Sequence, residues 1–190
     1  MWIETDKALL TEYRSLIRKQ EIEVSSLSKL QKGAYQESMR AAQQEMGNVH
    51  YQYGFNIDAI KAWSKAHDFC QSSEKLSEVA TRIAVAAFEA LNIYQMNKFS
   101  GEVEAREKSP NSPLATAMKI MDCVGSLAKN LNQAAVLKLV QIHFVEDPMV
   151  TNLITQSDLA HYIVFATLSS DLTRKSIKKD VVEGDFCFKC

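Results

Sequence analysis

Apolar residues recur along this chain at steps of three and four, with polar residues filling the intervals, and this pattern predicts helix after helix. Over residues 2–31, Leu9, Tyr13, Leu16, Ile17, Val24, Leu27 and Leu30 form one apolar stripe. Lys7, Glu12, Arg14, Arg18, Lys19, Glu21 and Glu23 occupy the remaining faces. The stripe suits a coiled-coil partner helix or a helix packed on the segment that follows. Gly33 is expected to break it, which sets an N-terminal amphipathic helix (1–32) before a helical region (33–182) and a tail (183–190). Residues 34–70 form a hairpin turning at Gly54. Ser72 or Ser73 caps a helix over 74–95, with Val79, Ile83, Ala86, Ala87, Ala90, Leu91 and Tyr94 on a wide face. Residues 96–113 read as a polar, charged loop.

Ser112-Pro113 then opens a helix over 113–129, with a capping hydroxyl followed by proline at the first helical position; Asn130 ends it. A helix over 132–145 carries Ala135, Val136, Leu139, Val140 and Phe144. Asp147-Pro148 repeats the cap-plus-proline signal. Gln156-Ser157-Asp158 caps a helix from Leu159 to Ser169, and Asp171 caps one through Val182 with Leu172, Ile177 and Val181 apolar.

Within the hairpin, the small residues Gly47, Gly54, Ala59 and Ala66 sit at fixed offsets, with the large Met46 and Trp63 between them. This is the spacing of a tetratricopeptide-type helix–turn–helix unit of about 34 residues. Two antiparallel helices approach closely only where side chains are small, so Gly47 is expected to face Ala59. Gly54 supplies the positive φ of a tight turn. Trp63 and Ala66 offer a knob and a gap to the next helix. The fold predicted is all-α: TPR-like antiparallel helix pairs in a short right-handed solenoid, preceded by one long helix.

Composition agrees. The chain has 190 residues, 46% hydrophobic and 24% charged, with only 6 Gly and 3 Pro. A net charge of −1 argues against a main role in holding nucleic acid or an anionic membrane. No apolar run reaches the length of a membrane span. The acidic start MWIETDKALL does not read as a signal peptide. The 4 scattered cysteines are then expected to be reduced thiols of the cytosol or nucleus.

Candidate chemistry is sparse. Cys187-Phe188-Lys189-Cys190 is a CxxC without the second ligand pair that a zinc site needs. Cys70 and Cys123 fall at small-residue helical positions, where packing explains them. His50, His67, His143 and His161 show no local pairing with either. Phosphate-loop, GxSxG and HExxH signatures are missing. Glu102/Glu104 and Glu146/Asp147 read as solvated charge or caps. Arg174, Lys175, Lys178 and Lys179 read as the solvated side of a terminal helix, or as a face for an acidic partner or RNA. No catalytic, cofactor-binding or metal-binding residue is singled out; the positions marked are structural ones, Met46, Gly47, Gly54, Ala59, Trp63 and Ala66.

The motifs QESMR (Gln36–Arg40), EMGNVHYQYG (Glu45–Gly54) and AIKAWSKAHDFC (Ala59–Cys70) resemble subunit 1 of the COP9 signalosome. Trp63 stands where that family has Tyr, and His67 where it has Arg. The segments from Met121 to Gln141 and from Ala160 to Asp171, and the closing GDFCFKC, extend the likeness. It covers residues 34–182. The region around 96–113 is shorter than the family's, and the winged helix that completes the family's PCI domain is absent from this sequence. The resemblance implies a non-catalytic scaffold in the ubiquitin pathway, in cytoplasm and nucleus. Its partners would be the other signalosome subunits, one of which carries the metalloprotease that removes a ubiquitin-like modifier from cullins. A proteasome-lid subunit of the same class, a free-standing adaptor, and a thiol- or metal-using enzyme are the alternatives.

Overall fold

The computed structural model describes residues 2–27, 32–142 and 146–170, with residues 2–6 and 32–34 by backbone alone. The described residues are helical and include no strand. The chain divides into two compact units, residues 1–95 and 96–190.

In the first unit, α1 (Trp2–Leu27), α2 (Lys32–Gln52), α3 (Asn56–Asp68) and α4 (Ser73–Glu89) pack in sequence order, each against the next. Alanine makes this close packing possible. Ala59, Ala62 and Ala66 of α3 are buried, as are Ala80, Ala84, Ala86 and Ala87 of α4, with Ile60, Val79 and Ile83 between them. Tyr35 meets the edge of Phe69 at the open end of the α2–α3 hairpin, so the two helices run antiparallel. Ser72 is the cap of α4: its hydroxyl accepts from the Lys75 N–H at 3.2 Å.

At the α2–α3 turn, Gly54 has φ 79°. Its N–H donates to Tyr51 O, and the Phe55 N–H reaches back to His50 O at 2.9 Å. This paired closure satisfies carbonyls that the helix end would otherwise leave orphaned. The same closure ends α4, where Leu91 (φ 53°) takes the glycine's place, and α6, where Asn130 (φ 58°) does.

Several expectations are corrected. Gly33 does not break a helix; it lies in the first turn of α2. The helix expected over 74–95 ends at Glu89. The stretch from 96 that was read as a polar loop belongs instead to α5 (Ile93–Arg106). Met96, Phe99, Ser100 and Val103 give α5 a buried stripe at helical spacing, hidden in the sequence by the surrounding charges. Asn92 Oδ1 accepts from the Gln95 N–H at its start.

The second unit holds most of α5, then α6 (Pro113–Ala128), α7 (Asn132–Leu139), the single turn α8 (Pro148–Thr151) and α9 (Gln156–Leu168). α6 packs on α7 and α8, and α7 packs on α9. Met118, Ile120, Met121, Val136, Leu139, Leu159 and Ile163 form its core. The Ser112 hydroxyl accepts from the Ala115 N–H and Pro113 follows, as expected; Asp147 caps α8. The helix expected over 132–145 ends early, at Leu139, with Val140 and Gln141 in a turn. α9 starts before Leu159, because Thr155 rather than the 156–158 triplet caps it. The expected helix to Val182, its basic cluster, the tail with the CxxC, Leu30, His143 and Phe144 all lie outside the described residues.

Candidate functional site

Trp63 and Gly47 interlock at the centre of the α2–α3 hairpin. Trp63 is 2% exposed, and its indole lies over Gly47. A Cβ on Gly47 would meet Trp63 Cε2 at 2.8 Å and the Cδ1 and Nε1 atoms closer still. The indole N–H is shared between Gln44 O at 3.1 Å and Asn48 Oδ1 at 3.3 Å. Gly47 therefore accommodates the Trp63 indole, so the Trp63 knob fills a hole on its own hairpin. Ala59 and Ala66 are fully buried and Met46 is half-buried.

A polar seam ties α4 to this hairpin. Arg82 donates to Asn48 Oδ1 at 2.8 Å. Glu37 takes Lys75 and Arg40, each at 2.7 Å, and hydrogen bonds from Arg40 first and Lys75 second hold its carboxyl down to about 2. Tyr51 donates to Glu89 Oε1 at 2.6 Å, while Asn56 donates to Glu89 Oε2. Burial, with Glu89 beside it, pushes the Tyr51 phenol up to about 12.

Sequence reasoning missed a cluster at the closed end of the hairpin. Tyr13 of α1 stacks on Phe55 with ring centroids 4.5 Å apart, and lies 5.5 Å from the Tyr53 ring and 5.7 Å from the His50 ring. Its hydroxyl is 2.8 Å from His50 Nδ1. Burial lowers the basicity of His50. The signal was present as Tyr53 and Phe55 at alternate positions across a helix end. Nothing in the sequence linked them to Tyr13, which is far upstream. Beside these rings, Leu9, Leu10 and Tyr13 of α1 face Gln52, Tyr53 and Phe55 across an open cleft of about 660 Å³.

Neither of the two described thiols is activated. Cys123 is fully buried and pushed up to about 12, by burial first and by Asp122 second. Cys70 is raised, mainly by burial, and its Sγ donates to Ala66 O. A reactive thiol needs the opposite shift. Among the described residues no group of three His, Cys, Asp or Glu side chains is placed to hold a metal ion, and no helix is long and apolar enough to cross a membrane. No family model and no curated protein matches the chain. The likeness to signalosome subunit 1 therefore rests on its quoted motifs alone.

Proposed function

We propose that this chain is a non-catalytic helical scaffold that binds other proteins, and that it does so as a subunit-1-like component of a signalosome-type assembly. The supporting observation is the amount of large apolar surface left in groups. In the first unit these are Leu9, Leu10 and Phe55. In the second, α9 buries Leu159, Ile163 and Ala166 yet leaves Tyr162, Val164, Phe165 and Leu168 exposed, Phe165 by 66% and Leu168 by 78%. Scattered apolar residues are ordinary on a protein surface, but grouped ones mark contact surfaces. Helical hairpins present such residues on rigid faces. The subunit-1 assignment adds the motif likeness over residues 34–70, whose Gly47 and Trp63 close the hairpin.

Affinity purification of the tagged chain from its own cells, with mass spectrometry of what accompanies it, tests this reading. Stoichiometric recovery of signalosome subunits is the expected result. Proteasome-lid subunits in their place would reassign the assembly, and recovery of no stable partner would overturn the reading.

A further inference from the structure

The cleft beside Tyr13 has the size and chemistry of a side-chain receptor. Leu9 (46% exposed) and Leu10 (41%) form one wall. Tyr53 and Phe55 form the other, and the Tyr13–Phe55 stack fixes the floor in advance. Its volume of about 660 Å³ lies within the range of sites that enclose a few large apolar groups. Glu12 is the one charged residue among the described lining, and its charge helps to raise the Tyr53 phenol above its ordinary value, after burial. Asp58 and Glu21 add to the negative field at Tyr13, while Lys61 is engaged with Asp58 at 2.9 Å.

We propose that this cleft is the docking site for an amphipathic helix of a partner protein, one that carries a large apolar anchor and, a turn away, a lysine or arginine facing Glu12. The inference rests on the protein-binding reading above and names the surface and the partner's chemistry. An extended peptide is disfavoured: both walls are helix or helix end, so no strand edge is offered for pairing, and recognition must run through side chains. A phosphate backbone or an anionic headgroup would be repelled by Glu12. A basic, apolar-faced helix satisfies both features at once, as the anchor enters between Leu10 and Phe55 and the cation meets Glu12.

A displayed library of short helical peptides, selected on the full chain and counter-selected on Leu10→Glu, tests the proposal. The expected winners pair an aromatic or leucine anchor with Lys or Arg, and bind about tenfold more weakly to Leu10→Glu. Glu12→Lys is expected to shift the preference toward acidic peptides. Leu10 and Glu12 are exposed, so both variants should keep the wild-type circular dichroism. The proposal is overturned if no peptide is enriched, if winners bind both variants as they bind wild type, or if neutral phosphatidylcholine vesicles take up the chain and displace them. Cellular partners recovered equally by wild type and Leu10→Glu would remove the cleft and leave the scaffold reading standing. Peptide binding without any cellular partner would do the reverse.

Discussion

A methyl group on Gly47 has nowhere to go, because the Trp63 ring is buried and its N–H is engaged at both acceptors. Gly47→Ala is therefore expected to destabilise the chain by about 3 kcal/mol in urea titrations. Gly54→Ala should cost only about 1 kcal/mol, since there the strain is in φ and the space is open. A second residue-scale expectation concerns His50. Burial depresses its basicity in the folded chain, so the unfolded chain takes up the proton more readily. Stability should be unaffected by this group well above its ordinary value of 6.5, and should fall as pH drops through 6.5 toward the lower folded value. Unfolding free energies measured at about pH 7 and about pH 5.5 should show this loss, and His50→Gln should reduce it.

At the scale of the element, legibility in the sequence depended on where the stop signals lay. The α6 start was readable because Ser112 and Pro113 advertise it, and the turn at Gly54 because only glycine takes that φ without strain. The break between α4 and α5 carries neither signal. Leu91 occupies the left-handed position, and the chain hides the turn behind continuous helical composition. α5 was lost for the converse reason: Gly101 and the run of Glu and Lys around it suggested a loop, although Met96, Phe99 and Val103 kept the core-facing spacing. The interlock was half legible. Gly47 and Trp63 stood out as a small and a large position, but spacing alone does not say which large side chain falls into which gap. Leu91 also yields a prediction. It is 77% exposed and gains little from its side chain. Leu91→Gly should therefore raise stability by about 1 kcal/mol, read as an increase in the urea midpoint with the slope unchanged.

For the molecule as a whole, Cys123 serves as an internal reporter. It is fully buried in the second unit and held protonated, whereas Cys70 is partly exposed in the first. Native-state alkylation near neutral pH should label Cys70 before Cys123, which should react only through opening of its unit. Peptide mapping against time, with and without urea, would separate the two. The order of packing has a further consequence. α1 rests on α2, α2 on α3, α3 on α4 and α6 on α7, so most helix pairs are neighbours along the chain as well as in space. Contacts this local need little loop closure, which favours fast folding. On the ribosome, the α2–α3 hairpin has all of its own parts once Phe69 has emerged from the exit tunnel. Trp63 can then seat over Gly47 while the second unit is still being synthesised.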